Sequence, residues 1–316
     1  MSLFDLDAIE RSITTHALRS CILARGEQIL FEYYREPESA DALHKINSCT
    51  KSVLSALVGV AIDQEILPGT DARIHSFFPQ LIHDNDQRKR EITIEHLLDM
   101  TAGFEWMEFG GLNSFPRMTK TADWIDFTLA LPLADPPGTR MIYNSGCSQL
   151  LAAMVMRAAG QSVEDFAKQH LFHPLGIEEW QWEVDPQGIH TGGIGLYMKP
   201  RDMLKFGQLY LQQGQYQGKR LLSESWIEQS TLPRVQVSKP REGMYGWHWW
   251  VSSFTTEQEP SIEVPYYFAL GFGGQYIIVV PSHDLVAVLT NDRHKKRKPP
   301  IDVFLRYIAP SLVRGT

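Results

Sequence analysis

The strongest constraint on the fold is the stretch Thr50–Gln64, which is apolar on nearly every side when drawn as a helix. A helix without a polar face has to be surrounded by protein. Its longest apolar run, Val53–Ile62, is too short to cross a bilayer. The sequence therefore predicts a helix in the middle of a folded protein, with apolar side chains at Val53, Leu54, Leu57, Val58, Ala61 and Ile62.

The tetrapeptide Ser48-Cys49-Thr50-Lys51 opens this helix. Helical spacing places Ser48 and Lys51 one turn apart on the same face. A partly desolvated lysine has a lowered pKa and can accept a serine proton, while free N–H groups at a helix start favour an oxyanion. The pattern predicts a nucleophile and its base, with Cys49 facing elsewhere as an inert core thiol.

Composition narrows the class of protein. The 316 residues are 43% hydrophobic and 21% charged, which is typical of one large or two coupled domains. A formal net charge of -7 argues against a nucleic-acid partner. The one basic run, residues 294–298, precedes two prolines and is predicted to be a solvated loop.

The cysteines and the N-terminus bear on the compartment. Cys21, Cys49 and Cys147 cannot all pair within the chain and have no disulfide-framework spacing, so free thiols in a reducing compartment are expected. Residues 1–5 have neither a basic segment nor an apolar signal core. We expect a cytoplasmic protein without a membrane segment, although a chain whose signal had been removed would look the same.

Strand-like runs occur at both ends of the chain and helical patterns lie between them. This order predicts one mixed α/β domain built from residues 1–66 and 184–316, with a mainly helical domain, 67–183, inserted in it and the active site at their junction. The predicted helices are Leu6–His16, Thr50–Gln64, His96–Gly103, Cys147–Ala159, a helix from Pro200 closed by Gly214, and Ile301–Leu312; the strands are Ser20–Ala24, Gln28–Tyr34, Gly246–Ser252, Val264–Leu270, Gln275–Val280 and Asp284–Thr290.

A second candidate site segment is the loop 136–146, which is stiffened by prolines and glycines and delivers Tyr143 just before a helix. A tyrosine near a cationic lysine becomes phenolate more easily. Tyr143 could then take the Ser48 proton and pass it to the leaving group. The alternative is a loop tyrosine with its ring packed and its hydroxyl in water.

The third candidate is Ala269-Leu270-Gly271-Phe272-Gly273-Gly274-Gln275, between two strand-like runs. Its glycines would let a substrate or another backbone approach closely. An edge strand here could supply one oxyanion N–H, with the Ser48 N–H as the other. The alternative is a glycine-rich turn.

Aromatic and histidine residues suggest further roles. Trp106, Phe109 and Phe115, together with the cluster 245–250, could line an acyl pocket or pack in the core. His170 and His173 are predicted to lie at a helix end instead of on a metal, because no His-Glu-x-x-His or carboxylate cluster accompanies them. His96 is expected to be a structural contact.

These three segments, in this order and spacing, resemble the serine β-lactamase and penicillin-binding-protein superfamily, in the branch of class C β-lactamases and related esterases and amide hydrolases. Ser48-Cys49-Thr50-Lys51 matches the family's Ser-x-x-Lys. Tyr143-Asn144-Ser145 falls at its Tyr-x-Asn, and Ala269-Leu270-Gly271 at its Lys-Thr-Gly. The resemblance covers nearly the whole chain and implies an α+β fold of the β-lactamase/transpeptidase type, with an antiparallel sheet flanked by helices plus an inserted helical domain.

The resemblance also implies a mechanism. Ser48 would attack a carbonyl to form an acyl-enzyme, Lys51 and Tyr143 would share the base and acid work, and Ser145, Ala269, Gly271 and Phe272 would face the substrate or its oxyanion. Water would then deacylate the serine. No metal or organic cofactor is implied, and which of Lys51 and Tyr143 is the acylation base stays open.

Two departures bear on the substrate. Ala269 and Leu270 replace the lysine and threonine that help the family to hold a carboxylate, and Ser145 replaces an asparagine amide. They favour a hydrolase of less charged small esters or amides over a β-lactamase or D-Ala-D-Ala peptidase. A non-catalytic binder of a peptidoglycan fragment or acyl ligand is the alternative from another class. The sequence does not indicate an oligomeric state.

Overall fold

One antiparallel sheet is formed from the two ends of the chain. The computed structural model describes residues 4–16, 18–239, 241–255, 261–292 and 299–313. Their strands are β1 (Leu18–Arg25), β2 (Gln28–Tyr34), β3 (His44–Lys45), β4 (Gln181–Trp182), β5 (Leu196–Met198), β6 (Gln215–Tyr216), β7 (Lys219–Arg220), β8 (Val235–Val237), β9 (Gly243–Tyr245), β10 (Trp250–Phe254), β11 (Val264–Gly271), β12 (Gln275–Val280) and β13 (Leu285–Asn291).

Eight of these strands form the main sheet, in the order β2-β1-β13-β12-β11-β10-β9-β8. The N-terminal hairpin therefore joins the C-terminal strands through the β1–β13 pairing, in which Cys21 lies opposite Leu289. A small sheet, β3-β5-β4, and the hairpin β6-β7 are separate from it.

Helices cover both faces of the main sheet. The helical segments are α1 (Leu6–His16), α2 (Thr50–Asp63), α3 (Ile94–Leu98), α4 (Phe115–Met118), α5 (Trp124–Ala130), α6 (Ser145–Ala159), α7 (Val163–Ala167), α8 (Pro200–Leu211), α9 (Glu224–Ser230), α10 (Ile301–Val303) and α11 (Ala309–Val313), with π-helical turns at Lys168–Phe172 and Phe304–Ile308 and 3-10 turns at Pro37–Ala40, Asn47–Cys49, Ile74–Ser76, Pro79–His83, Gln87–Glu91 and Pro281–His283.

Alternation along the strands separates two cores. On β11, Tyr267 and Ala269 belong to the hydrophobic cluster that contains α2, α6 and α8. Their neighbours Tyr266 and Phe268 belong to the cluster with α1 and the C-terminal helical segments. Successive strand residues face opposite sides, so a buried central strand needs apolar residues at both parities. The α+β architecture predicted from the sequence is confirmed.

Helix α2 lies in the middle of the molecule, as its composition predicts. Every residue from Thr50 to Ala61 is buried. Its two interior serines are satisfied by main chain, because Ser52 Oγ donates to the His248 carbonyl at 2.7 Å and Ser55 Oγ to the Trp247 carbonyl at 2.8 Å. These bonds hold the turn between β9 and β10 against the helix.

Because of that turn, one strand predicted from the sequence is wrong. Residues 246–252 were expected to form a single strand, but β9 ends at Tyr245 and β10 starts at Trp250. Between them the Gly246 N–H donates to the Trp249 carbonyl at 2.8 Å, and His248 has a φ of 61°. The alternation of aromatic residues resembles that of a strand. The hydrogen bonds from α2 to the His248 and Trp247 carbonyls instead hold these residues in a turn.

The helix predicted over His96–Gly103 is also displaced. It begins earlier, at Ile94, because the Thr93 side chain caps it, and it ends at Leu98. The Asp99 carboxylate then accepts from the Thr101 N–H at 3.0 Å, which supports a turn in place of another helical step.

The proposed domain division stays a prediction. The segment 67–183 is mainly helical apart from β4, yet one hydrophobic cluster contains residues of this segment together with α2 and the sheet. The basic run 294–298 lies outside the described residues. Within the described ranges, no helix combines the length and the apolar character that a membrane span requires.

Candidate active site

Ser48 lies in the 3-10 turn Asn47–Cys49 that leads into α2. The preceding residue, Asn47, has a φ of 50°, and its side-chain amide donates to the Phe272 carbonyl at 2.7 Å. This bond ties the serine turn to the end of β11. Ser48 opens into a cavity of about 290 Å³ that Tyr143, Gly271 and Phe272 also line.

Lys51 is almost fully buried, one turn beyond Ser48. Its Nζ donates to Ser48 Oγ at 3.2 Å, to Ser145 Oγ at 3.0 Å and to the Gly193 carbonyl at 2.7 Å. Burial lowers the Lys51 pKa to about 8, although the nearby Glu108 carboxylate acts in the opposite direction. The neutral amine is therefore accessible near neutral pH.

Tyr143 comes to Lys51 from just before α6, which Asn144 caps through hydrogen bonds to the Gly146 and Cys147 N–H groups. The Lys51 Nζ lies 4.9 Å from the centre of the Tyr143 ring. The ring also stacks on Trp250 at a centroid distance of 6.1 Å. The three motif residues predicted from the sequence thus lie together at one point.

The protonation of Tyr143 differs from expectation. Burial, followed by the Glu108 charge, raises its pKa well above the usual value, although a hydrogen-bonding interaction with Ser48 acts the other way. The expectation that the neighbouring ammonium would favour the phenolate is wrong, because desolvation and the Glu108 charge both favour the protonated hydroxyl. Tyr143 is a neutral hydroxyl here.

Ser145 connects Lys51 to a carboxylate that sequence reasoning missed, that of Glu108. Ser145 is buried; its hydroxyl donates to Glu108 Oε1 and its N–H donates to Oε2 at 3.0 Å. The Trp106 indole donates to the same Oε2 at 2.7 Å. Ser145 is not among the residues that line the 290 Å³ cavity; it bridges the lysine and the glutamate instead.

The third motif is only partly as predicted. Ala269 is buried in the core with α2 and does not line the catalytic cavity, whereas Leu270, Gly271 and Phe272 do. Strand β11 is internal in the sheet, between β10 and β12, and is not the edge strand expected. However, β10 pairs with it only as far as Phe268, so its last residues extend beyond that neighbour towards the cavity.

The backbone at Gly271 lies so close to the segment before Ser48 that only glycine fits there. A Cβ at this position would lie 2.1 Å from the Ile46 carbonyl oxygen, just upstream of Ser48. Only a residue without a side chain lets β11 pack this tightly against the serine segment.

Two aromatic groups divide between the site and the core. Trp250 lines the catalytic cavity, while Trp247 packs on Trp226 at 4.8 Å and Trp249 on Tyr210 at 4.4 Å. A second, larger cavity of about 830 Å³ shares Glu108, Phe109 and Tyr143 with the first, and Trp106 lines it. Phe115 packs on Trp124 and lines neither cavity.

The three histidines considered in the sequence analysis make structural contacts. His96 takes part in the cap of α3, and His170, in the π-helical turn, accepts through Nδ1 from the Gln64 side-chain amide at 3.0 Å. His173 packs on Trp180. In the described part of the chain, no group of three or more His, Cys, Asp or Glu residues could hold a metal ion.

Two charged residues of the site had no usable sequence signal. Glu108 follows Trp106 on a loop that the sequence marks only by its aromatic residues. Arg241 lines the catalytic cavity from the segment between β8 and β9, nearly 200 residues from Ser48. Local periodicity cannot predict either contact, because both arise from tertiary packing.

An eight-stranded antiparallel sheet with helices on both faces, and a Ser-x-x-Lys turn opening the buried helix beside it, define a protein of the β-lactamase/transpeptidase class. The chain belongs to the β-lactamase family, whose sequence profile matches residues 7–307.

Individual relatives carry the names of several hydrolases. The 6-aminohexanoate-dimer hydrolase of Paenarthrobacter ureafaciens is 22% identical over 301 residues, covering 90% of this chain and 74% of its own. A Bacillus anthracis structure assigned provisionally to the same activity superposes with a TM-score of 0.80 at 18% identity, over 96% of this chain and 81% of its own. The D-alanine carboxypeptidase AmpC of Burkholderia cenocepacia superposes with a TM-score of 0.70 at 16% identity, over 98% and 99%.

Proposed function

We propose that this protein is a serine hydrolase that cleaves a small ester or amide through an acyl-enzyme on Ser48. The observation that carries the proposal is the Lys51 amine, which is buried and lies 3.2 Å from the Ser48 hydroxyl. A desolvated amine with a lowered pKa is a base suited to activating a serine.

The acylation step follows from these positions. Neutral Lys51 accepts the Ser48 proton as Oγ attacks the carbonyl carbon. The oxyanion that forms is stabilised by the Ser48 N–H and by main-chain N–H groups at the end of β11, near Gly271 and Phe272. The Tyr143 hydroxyl then gives its proton to the leaving oxygen or nitrogen and regains one from the Lys51 ammonium, so the carbonyl–leaving-group bond breaks and the ester to Ser48 remains.

Deacylation uses the same groups in reverse. A water molecule loses a proton to the Lys51–Tyr143 pair as it attacks the acyl carbon, and Ser48 leaves with a proton returned from that pair. The products are the free carboxylic acid and the enzyme in its starting state.

Exposed apolar side chains near the site favour a substrate with an apolar portion. Met107, Phe109 and Leu112 are all more than half exposed, and the first two line the 830 Å³ cavity beside the catalytic one. A cavity of this size accommodates a small molecule. The names of the relatives, a 6-aminohexanoate-dimer hydrolase and a D-alanine carboxypeptidase, favour cleavage of an amide.

A fluorophosphonate probe tests the nucleophile. The parent protein is expected to be labelled covalently and Ser48→Ala not at all, because the probe reacts only with an activated serine. Ser225→Ala, which removes an exposed hydroxyl in α9, is the matched control and should label like the parent. Labelling of Ser48→Ala at the parental rate would exclude Ser48 as the nucleophile.

A substrate screen accompanies the labelling. p-Nitrophenyl esters of rising chain length, small amides and nitrocefin should be compared in the parent and Ser48→Ala proteins. Ester or amide turnover that is lost in the variant supports the proposal. Tight ligand binding without labelling or turnover would instead favour the non-catalytic binder.

A further inference from the structure

Two segments beside the catalytic cavity carry exposed apolar side chains. The loop before α4 contributes Met107, Phe109 and Leu112, and the turn between β11 and β12 contributes Phe272; their exposed fractions lie between 46% and 79%. Phe109 and Phe272 line the catalytic cavity, and Met107 and Phe109 line the 830 Å³ cavity next to it. We call these four side chains the apolar rim.

The apolar rim is one patch. The rings of Phe109 and Phe272 have centroids 6.3 Å apart, so the patch joins the two segments. A Cβ on Gly111 would lie 3.2 Å from the Met107 sulfur, which places that side chain against the residue before Leu112. Single exposed apolar side chains are ordinary on a protein surface, whereas a contiguous group of them marks a surface that contacts something apolar.

The loop that carries most of the rim is tied to the fold at its base. The Met107 N–H donates to the Asn113 carbonyl at 2.8 Å and closes the loop. Trp106 is buried, and its indole donates to Glu108 Oε2 at 2.7 Å. The fold therefore holds this loop in place while leaving its apolar side chains in water, an arrangement that costs free energy until something covers them.

The position of the rim decides between possible occupants. A folded protein seated on it would cover the cavity that contains Ser48, because Phe109 and Phe272 line that cavity. A lipid surface would not block the substrate, since an ester or amide dissolved in the lipid enters the cavity from that same surface.

The charges beside the rim fit a zwitterionic lipid. Glu105, Arg140 and Lys239 line the larger cavity and are exposed, with Arg140 paired to Asp135. Both signs of charge are thus available to the phosphate and choline of a phosphatidylcholine headgroup. The formal net charge of -7 opposes binding to an anionic membrane, so apolar contact has to supply the affinity.

We propose that the apolar rim docks the protein on a zwitterionic lipid surface, with the catalytic cavity facing the lipid. The docking is peripheral: the four side chains enter the headgroup and outer acyl region, as the apolar faces of interfacial helices do. The inference goes beyond the proposed hydrolase function, and binding can be measured without turnover.

Cosedimentation with sucrose-loaded phosphatidylcholine vesicles tests the docking. The parent should bind, and its binding should change little between low salt and about 1 M salt, because apolar contact is not screened. Leu112→Ser alters the most exposed member of the rim, which lines neither cavity, and should lower the partition coefficient by about 5- to 20-fold. Met107→Ser should act in the same direction.

Ile29→Ser is the matched control, since Ile29 is also an exposed aliphatic side chain. It pairs with Ala24 at the end of the sheet where β13 begins, whereas the catalytic cavity lies where β11 ends and β12 begins. This variant should bind the vesicles like the parent.

Turnover gives a second readout. p-Nitrophenyl acetate in solution and p-nitrophenyl palmitate embedded in the same vesicles should be compared in the parent and in Leu112→Ser. The variant is expected to hydrolyse the dissolved ester at the parental rate and the embedded ester more slowly, by about the factor lost in binding.

The outcomes separate the docking from the hydrolase function. A parent that does not sediment with the vesicles, or equal binding by Leu112→Ser, Met107→Ser and Ile29→Ser, overturns the docking. So does analytical ultracentrifugation that finds a parental dimer dissociated by Leu112→Ser, because the rim would then be covered by a second copy of the chain. Vesicle binding without hydrolysis of either ester would leave the docking standing and count against the serine hydrolase.

Discussion

At the scale of single residues, the chemistry centres on the environment of one amine. Lys51 donates to two hydroxyls and a carbonyl, those of Ser48, Ser145 and Gly193. Burial favours its neutral form, and the Glu108 carboxylate, reached through Ser145, favours the ammonium. The balance between these effects sets the pH at which Ser48 can be activated.

The balance predicts the pH profile. If neutral Lys51 is the base, kcat/KM should rise with pH and level off above about 8, the lowered pKa of this lysine. Glu108→Gln removes a charge that stabilises the ammonium, so the Lys51 pKa falls further and the rising limb moves to lower pH. Initial rates with a p-nitrophenyl ester, measured between pH 5 and about 10, check this.

Glu91→Gln supplies the control for that shift, because Glu91 is exposed and pairs with Arg73 at the surface. Its profile should coincide with that of the parent. A limb that stays in place or moves to higher pH in Glu108→Gln would rule out the proposed influence of Glu108 on Lys51.

At the scale of elements, sequence patterns worked where one physical effect dominated. Helix α2 is apolar all round and lies buried, and the six-residue strand β12 is buried throughout. The prediction of one strand over 246–252 was wrong, because some of its alternating aromatic residues pack in the core while the chain makes a turn between β9 and β10. The preference of such residues for strands is weaker than hydrogen bonds from α2, which the sequence does not reveal.

The packing of α2 predicts an unusual response to a helix-favouring substitution. Gly59 lies on α2, and a Cβ there would be 2.5 Å from the ring of Trp226, which is itself buried. Alanine in a helix is normally about 1 kcal/mol better than glycine. Here the overlap outweighs that gain, and Gly59→Ala should lower the free energy of unfolding by about 1–3 kcal/mol.

Urea unfolding followed by tryptophan fluorescence measures the effect. Gly110→Ala is the matched control, since a Cβ there meets nothing within 4 Å. A Gly59→Ala protein as stable as the parent would show that Trp226 can move aside.

At the scale of the whole molecule, the site is assembled from segments that are distant in sequence. The sequence indicates Ser48 and Lys51 by helical spacing and Tyr143 by its loop, and the structure brings these together. Glu108 and Arg241 join them only through the packing of the helical segment and the sheet. No local sequence pattern marks Glu108 or Arg241. Ser48, Lys51 and Tyr143 could therefore be predicted from the sequence, whereas these two charged residues of the cavity lining could not.

The three cysteines give a molecular-scale prediction. Cys21, Cys49 and Cys147 are free and buried, and burial raises the pKa of each thiol. Reaction with DTNB should therefore titrate almost no thiol in the native protein and all 3 in guanidinium. Rapid modification of a thiol in the native protein would contradict the buried positions.

The pairing of β1 with β13 has a consequence during synthesis. Arg25 and Leu285 are neighbours in the sheet. The inner edge of β1 therefore stays unpaired until β13, some 260 residues later in the chain, has been synthesised. At ordinary translation rates that interval is on the order of tens of seconds. During it β1 exposes an edge of unpaired backbone N–H and C=O groups, so we expect the nascent hairpin to be prone to pairing with other chains until β13 is made.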